Sequence, residues 1–543
     1  MGPRNIASMA GLLLFAGAAA AAPRLTLTTH VPAAVANGQA ARVGALAAAQ
    51  RINLAISLPL RNETELDDLL AQLYDPLSPN YRQYLSVAEF AGRFGPDAAD
   101  HEAVLHFARA NGFRVTATRA NRLVVDIEGP VASIERAFHV VMGVYRHPAE
   151  NRTFYAPDRE PTLDLDVPVS HISGLDNFTL PKPKNIRNAT PSPEADGKAT
   201  GSGPNGQFTG SDMRAAYYGS GPLTGAGQSI GLFEFAGYEI SDVQLYFQKL
   251  NQPLNVAVSG VALNGAHLAC PPRYCDDSEQ VLDIEMSISM APGLSQVVVY
   301  VGKHPISIFS QMAADNTSKQ LSCSWGWTDD ETTLDPVFKE FIAQGQSVFI
   351  ATGDYGSRTL ADSVWPADDP YVIAVGGTDL TTDGPGGAWQ SETGWSGSAG
   401  MPSKNNVPIP PYQQFAGVIN SSNQGSITLR NIPDVAAEAN TNQFSCYDGY
   451  CAGRNGGTSY AAPQWAGFTA LMNEQAAAGG RAVVGFLNPA IYRLGLSANY
   501  TSDFHDITSG SNGAYSAVPG YDLVTGWGSF NGPNLIDVLT GTH

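Results

Sequence analysis

The sequence predicts a mixed α/β chain, in which a doubly wound, mostly parallel sheet follows a smaller α+β domain. Three observations predict it. From Phe208 onward, short apolar runs (SIGLFEF, SQVVVYVG, QLSCSWG, QSVFIATGD, YVIAVGGTD) alternate with helical patterns such as SEQVLDIEMSISMA and PVFKEFIAQG. Buried strands alternating with helices make a parallel sheet covered on both faces, with ligands at the carboxyl ends of the strands. Residues 181–207, PKPKNIRNATPSPEADGKATGSGPNGQ, have no apolar period and read as a linker open to proteolysis. Before that linker, strand and helix patterns are short and mixed.

In the first domain, INLAISLPL reads as a strand and ETELDDLLAQLYD as an amphipathic helix starting after Asn62. FRVTATRANRLVVDIEGP gives two short strands, and VASIERAFHVVMGVYRH a helix running into a strand. At the N-terminus, Arg4, the apolar run Met9 to Ala22 and small residues make a secretory signal cleaved near Ala22. The predicted division is therefore 1–22 signal, 23–180 first domain, 181–207 linker and 208–543 main domain. No later run reaches the roughly 18 apolar residues that span a bilayer, so the product reads as exported and soluble, outside the cell or in a periplasm.

The 543 residues carry 31 Lys and Arg against 50 Asp and Glu, a formal charge of −19. That balance argues against nucleic acid and anionic membrane as partners. It suits a protein working in acid, where many carboxylates are neutral. Of five cysteines, Cys270 with Cys275 and Cys446 with Cys451 can each close a short loop in an oxidising compartment, leaving Cys323 as a buried free thiol.

The chemistry starts at GGTSYAAP. Small residues before Ser459 admit a substrate closely, and AAPQWAGFTALMNEQA starts a helix at the serine, whose amides favour developing negative charge. A serine nucleophile needs a base. After the linker the histidines are His267, His304, His505 and His543, none in a context that suits one. Carboxylates offer another route. Glu279 and Asp283, four apart, share a helix face among apolar neighbours, and close carboxylates tend to share a proton. Asp354 follows an apolar strand in SVFIATGDYGS, where an α/β fold presents its working loops.

In that order, EQVLDIE, ATGDYGS and GGTSYAAP resemble the three catalytic strings of the sedolisin family of serine-carboxyl peptidases, its kumamolisin-like members in particular. DPLSPNYRQYLSVAEFAGRFGP, residues 75–96, is similar to the hallmark of that family's activation pro-domain. The resemblance implies a subtilisin-like catalytic fold. It implies Ser459 as nucleophile, Glu279 as general base and later acid, Asp283 as its orienting partner, and Asp354 as a protonated acid donating to the oxyanion. Glu234 and Trp325 match residues that extend the hydrogen-bond network. Physical chemistry agrees: near pH 4 a histidine is more than ~99% protonated and useless as a base, whereas a glutamate with pKa near ~4.3 can take and return a proton. At Val364 the acidic residue that aids specificity in similar enzymes is absent, so no preference carries over there.

The string FHDITSGSNGAYSAVPGYDLVTGWGS, residues 504–529, offers Asp506 and Asp522 in a Gly-rich loop, a donor set suited to one structural calcium ion. It resembles the family's calcium loop, whose ligands would fall on Asp506, Ile507, Val518, Gly520 and Asp522; the pattern has glycine where Val518 stands. The sequence thus predicts a secreted, acid-active, monomeric serine endopeptidase made as a zymogen, acting on proteins or peptides and inhibited by its own pro-domain. In acid, protonation of interface carboxylates would loosen that domain before the enzyme cuts the linker. A tripeptidyl-peptidase of the same clan and a catalytically dead binding protein are the competing readings.

Overall fold

Two hydrophobic patterns build two sheets. In the computed structural model, residues 25–187, 200–327, 331–358 and 364–541 are described; the signal segment 1–22 and residues 188–199 of the linker lie outside them. The first domain contains β1 (Arg51–Ser57), α1 (Glu63–Leu73), α2 (Ala98–Ala110), β2 (Arg114–Thr118), β3 (Val124–Pro130), α3 (Val131–Phe138) and β4 (His171–Ser173), of which β1, α1, β2, β3 and α3 are predicted by the sequence patterns. The strands form an antiparallel sheet in the order β2-β3-β1-β4. Leu54, Ile56, Val125 and Ile127 from its inner face meet Val104, Phe107, Ile134 and Phe138 from α2 and α3.

Helix α1 does not contribute to that core. Its apolar stripe, Leu66, Leu69, Leu70 and Leu73, is buried in the core of the second domain, together with Phe90 and Phe94. The first domain is thus seated on the second through an apolar surface. Around it, Tyr74 donates its hydroxyl to the Ile342 carbonyl at 2.8 Å and Asn121 donates to Glu340 at 2.8 Å. Lys339 pairs with Asp67 at 2.7 Å.

A short strand, β5 (Lys182–Pro183), leads into the second domain. There follow β6 (Ser229–Glu234), β7 (Ala257–Ala262), α4 (Ser278–Met290), β8 (Gln296–Val301), α5 (Pro305–Asp315), β9 (Gln320–Cys323), β10 (Trp325–Gly326), α6 (Glu331–Ala343) and β11 (Ser347–Ala351). They are completed by β12 (Ile373–Thr382), β13 (Trp389–Gly394), β14 (Val435–Glu438) and α7 (Thr458–Ala478). The sheet runs β7-β8-β6-β9-β11-β12-β13, with β14 also on β12, and every pairing is parallel except β12 with β13. Both disulfides form as the spacing predicts, and Cys323 is free and buried.

The helix that carries the predicted base is buried on all sides, and the helix that carries the predicted nucleophile is buried from Thr458 to Asn473. Every residue of α4 is buried, although the sequence suggested only one partly covered face. Helix α7 lies against it, and Gly467 sets how close the two come: a methyl at Gly467 would meet Cβ of Met290 at 2.7 Å. Gly467→Ala should gain up to about 1 kcal/mol of helix propensity but cost about 1–3 kcal/mol in overpacking. The clash should win, giving a lower thermal-unfolding midpoint for the full chain.

Candidate active site

Helix α4 begins after Asp277, whose two carboxylate oxygens accept from the amides of Glu239 and Asp448 and so tie the helix start to two loops. Glu279 lies in the first turn of α4 and Asp283 one turn on, both fully buried. Asp283 accepts from the Ser324 hydroxyl at 2.8 Å, and Trp325 Nε1 donates to Glu234 at 2.8 Å. Glu234 ends β6, while Ser324 and Trp325 lie at and just past the end of β9, so the carboxyl ends of neighbouring parallel strands deliver this network.

Burial pushes Glu279, Asp283 and Glu234 all well above the usual carboxylate range. For Glu279 and Glu234 the nearby charge of Asp283 adds to that rise, whereas Asp283 is held down by the Ser324 and Glu234 hydrogen bonds. A charge on Asp283 therefore disfavours a charge on either of the other two. Both Glu279 oxygens, Asp283 Oδ2 and Glu234 Oε1 have no donor among the described residues, and Glu234 and Asp283 lie within hydrogen-bonding reach of each other. A carboxyl group satisfies a second carboxylate only by carrying a proton, so the cluster is a proton-sharing unit rather than three separate acids.

Ser459 is the second residue of α7, after Gly457 at φ 124°. Asp354, just past β11, accepts through Oδ1 from the Thr458 amide at 2.8 Å and from the Thr458 hydroxyl at 3.0 Å. Its other oxygen, Oδ2, faces the cleft: a methyl placed on Gly457 would sit 2.8 Å from it and 2.6 Å from the carbonyl oxygen of Lys184. Only glycine leaves that space open. Burial pushes the Asp354 carboxyl up to about 7, despite its Thr458 hydrogen bonds and the nearby Lys184 charge.

Lys184 is the surprise. Residues 181–187, read from sequence as the start of an open linker, run extended through this cleft. Strand β5 pairs antiparallel with β10, Lys182 opposite Gly326 and Pro183 opposite Trp325. The Lys184 amide donates to the Ser324 carbonyl at 2.9 Å, and Ile186 exchanges two backbone hydrogen bonds with Gly456 at 2.7 and 2.9 Å. Between these anchors the Lys184 carbonyl accepts from the Ser459 amide at 3.1 Å and from the Ser459 hydroxyl. With its proton on the Lys184 carbonyl, the hydroxyl leaves both Glu279 oxygens unbonded, although Ser459 is close enough to oppose the rise in the Glu279 pKa. Downstream, Thr200 and Ser202 already hydrogen-bond to Thr382 and Asp212 of the second domain, so the described ends of the linker are both held.

The structure thus brings all four predicted catalytic residues, with Glu234 and Trp325, to one cleft. Sequence reasoning missed Ser324 and Thr458, adjacent to the singled-out Trp325 and Ser459, and it missed Lys184. Lys184 left only the extended bias of the PKPKN stretch as a signal.

Away from the cleft, Asp506 and Asp522 meet at one loop. Asp506 accepts from the Gly520 amide at 3.1 Å and Tyr500 hydroxyl at 3.2 Å; Asp522 accepts from the amides of Val518, Val524 and Thr525 at 2.8–3.0 Å. Burial raises Asp506 and pushes Asp522 up to about 7. Among the described residues no N–H donates to the carbonyls of Ile507, Val518 or Gly520. There is likewise no group of three or more His, Cys, Asp or Glu side chains placed to hold a metal.

Comparison with known proteins fixes the family. Residues 38–178 match the pro-kumamolisin activation domain, and residues 302–489 match the subtilase family. The chain is 29% identical to kumamolisin of Bacillus sp. (strain MN-32) over 92% of its own length and 94% of that protein. It is 28% identical to sedolisin of Pseudomonas sp. (strain 101), covering 97% and 94%. The chain belongs to the sedolisin family of serine-carboxyl peptidases. It is 25% identical to tripeptidyl-peptidase 1 of Mus musculus, over 90% of the chain and 92% of that protein. A solved structure of Pseudomonas sedolisin, a serine-carboxyl proteinase complexed with pseudo-iodotyrostatin, aligns with a TM-score of 0.52 at 25% identity, over 61% of this chain and 98% of that one. The second domain therefore has the subtilisin-like fold, and the first is an activation pro-domain.

Proposed function

We propose that the chain is the secreted precursor of an acid-active serine endopeptidase in which Ser459 is the nucleophile, Glu279 its base and Asp354 an oxyanion donor. One observation carries this reading: a peptide carbonyl, that of Lys184, lies on the Ser459 amide and hydroxyl, with Glu279 beneath the hydroxyl and Asp354 Oδ2 facing the same space. The N-terminal apolar segment and the two disulfides support export. Among the described residues no helix is long and apolar enough to cross a membrane.

In the reaction, Glu279 passes its proton to Asp283 as it takes the proton of Ser459 Oγ, so the pair goes from monoanion to neutral and becomes a monoanion again when Glu279 gives its proton up. The alkoxide adds to the substrate carbonyl, and the oxyanion is held by the Ser459 N–H and by neutral Asp354. Glu279 then protonates the leaving nitrogen, the acyl-enzyme forms, and water repeats the sequence in reverse. Asp354 donates only while protonated. Below about 7 it stabilises the oxyanion; above that its charge repels it. This sign sets the alkaline limit of activity. The docked strand continues past Lys182 toward the pro-domain, so the cleft is open beyond three residues on that side, which favours endopeptidase over tripeptidyl action.

Acid also acts on the pro-domain. The Lys339–Asp67 pair, a buried lysine with an exposed carboxylate, is the sort of interface contact that protonation would weaken, but pairs open to solvent on one side contribute little. His304 is a stronger trigger. It is 9% exposed, faces the Asn53 carbonyl at 2.9 Å, and lines a cavity of about 860 Å³ between the domains. Burial pushes its pKa below the ordinary value, with Lys303 acting in the same direction and Asp126 and the Asn53 carbonyl opposing. A freed imidazole titrates near ~6.5, so docking is at full strength above that pH and weakens as pH falls through and below it. The loop of Asp506 and Asp522 fits a calcium ion, because one buried and one half-buried carboxyl group and three backbone carbonyls with no N–H partner among the described residues are a hard-oxygen donor set. Asp506, Asp522 and the carbonyls of Ile507, Val518 and Gly520 would hold the ion, which would supply loop rigidity.

Ser459→Ala should abolish hydrolysis of denatured protein at pH 4, and Glu279→Gln should lower it by about 10²–10⁴-fold. Asp354→Ala should cost about 10²–10³-fold, whereas Asp354→Asn, still a donor, should retain more activity and lose the alkaline limb near 7. Hydrolysis that peaks in alkaline buffer, or an unaffected Glu279→Gln, would sink the assignment. His304→Gln should keep the cleaved pro-domain bound to lower pH than wild type, as read by size exclusion from pH 3 to 7; release at the wild-type pH would count against the trigger. EGTA should lower the thermal midpoint of the precursor by about 5 °C, reversed by Ca²⁺ and absent in Asp522→Asn.

A further inference from the structure

The segment in the cleft has the hydrogen bonds of a substrate rather than of a plug. It is paired as a strand before Lys184, through β10 and the Ser324 carbonyl, and again after it, through Gly456. The carbonyl midway between those anchors, that of Lys184, is the one on Ser459. Beyond it, Asn185 Nδ2 lies 3.4 Å from the Ser278 hydroxyl, and Arg187 pairs with Asp276 at 2.6 Å and stacks over Tyr447. A segment anchored on both sides of one carbonyl has a fixed register, since slipping by one residue would exchange every inward for every outward side chain.

The Lys184 side chain is 4% exposed, and its ammonium ends on backbone: Nζ donates to the Ala351 carbonyl at 2.6 Å and faces the Val364 carbonyl at 3.4 Å. Ala351 is the last residue of β11, three before Asp354, so the pocket floor and the oxyanion donor belong to one strand end. A pocket whose end is reached by an ammonium at 2.6 Å has no room for the longer, forked guanidinium of arginine. An apolar side chain would leave the two carbonyls without a donor.

Resting on the peptidase reading above, we propose that Lys184–Asn185 is the bond this enzyme cuts to free its own pro-domain, and that the same pocket makes lysine the preferred residue on the carbonyl side of bonds in other substrates. In the step, Ser459 Oγ bonds to the Lys184 carbonyl carbon, the C–N bond to Asn185 breaks, and the hydroxyl proton passes by way of Glu279 to the Asn185 nitrogen. Water then supplies the hydroxyl that leaves Lys184 as a free carboxylate and returns a proton to Ser459.

The test is acidification of the purified full-length precursor, with mass spectrometry at the shortest times, before trimming. The pro-fragment should end at Lys184 and the partner fragment begin at Asn185. Lys184→Leu should slow this first cut about 10–100-fold, and Lys184→Arg should also slow it. The activated enzyme, given one denatured protein, should release peptides ending in lysine at least ten times as often as the share of lysine in that protein. A Ser459-dependent first cut at another bond, or products ending mainly in leucine or phenylalanine, would overturn this inference while leaving the function intact. Equal processing of wild type and Ser459→Ala would instead overturn the function. Because Lys184 lies outside the catalytic machinery, a folded Lys184→Leu precursor that processes at the wild-type rate would count directly against the pocket.

Discussion

Taking carboxyl groups out of water is the constraint from which the rest of this site follows. An ionised carboxylate buried without a partner costs several kcal/mol, and the protein avoids that cost by leaving the proton on. Glu234, Glu279, Asp283 and Asp354 are all buried, and in each burial is the largest influence, pushing the pKa upward. Desolvation of a histidine runs the other way and yields a neutral ring only above its lowered pKa; His304 follows that rule. In acid, then, burial supplies neutral carboxyl donors, whereas an imidazole is charged unless burial lowers its pKa below the working pH. Carboxyl groups suit a dry site at low pH because their neutral form is both the stable one and a hydrogen-bond donor.

Dryness in turn depends on packing. Helix α4 carries acids at two positions yet is covered on every side, and Gly467 lets α7 come close enough to place Ser459 beside Glu279. The pro-domain completes the cover. Since α1 contributes Leu66, Leu69, Leu70 and Leu73 to the peptidase core rather than to its own, separating the domains exposes apolar surface on both. Each buried leucine contributes about 1.5–3 kcal/mol, so docking has a large apolar component that pH does not touch. Release in acid, as proposed, would work on the polar remainder of the interface, to which His304 and the Lys339–Asp67 pair belong.

Much of this could be read from the chain. Strands β6, β8, β9, β11 and β12 are continuous apolar runs ended by glycine or polar residues, and their order alone implies a parallel sheet with working loops at one edge. Glu279, Asp283, Asp354 and Ser459 could be picked out because each stands in a local string whose chemistry is unusual for its place. The rest was illegible for physical reasons. Full burial of α4 depends on neighbours far away in sequence, so its charged residues suggested a half-wet face. The 181–187 segment has no apolar period because an extended strand clamped by backbone hydrogen bonds needs none. It was read as a linker, yet Lys184 is buried in the peptidase. The carbonyls of Ile507, Val518 and Gly520 carry no side-chain signature, and the sequence points to them only through the resemblance of the loop around Asp506 and Asp522 to the family's calcium loop.

The lysine pocket shows the same logic applied to recognition. An acidic side chain is the usual partner for a lysine, and its absence at Val364 left no sequence basis for a basic preference. In an acid-active enzyme a carboxylate there would be a poor choice: buried, its pKa would rise, and at working pH it would be neutral and its attraction gone. Backbone carbonyls have no such pKa. The Ala351 and Val364 oxygens present the same dipoles at pH 3 as at pH 7, while the ammonium they receive, pushed down only to about 8 by burial, stays charged throughout that range. Reading lysine through the main chain therefore separates specificity from the protonation events that control catalysis, and Val364 can serve the subsite because its contribution is a carbonyl rather than a side chain.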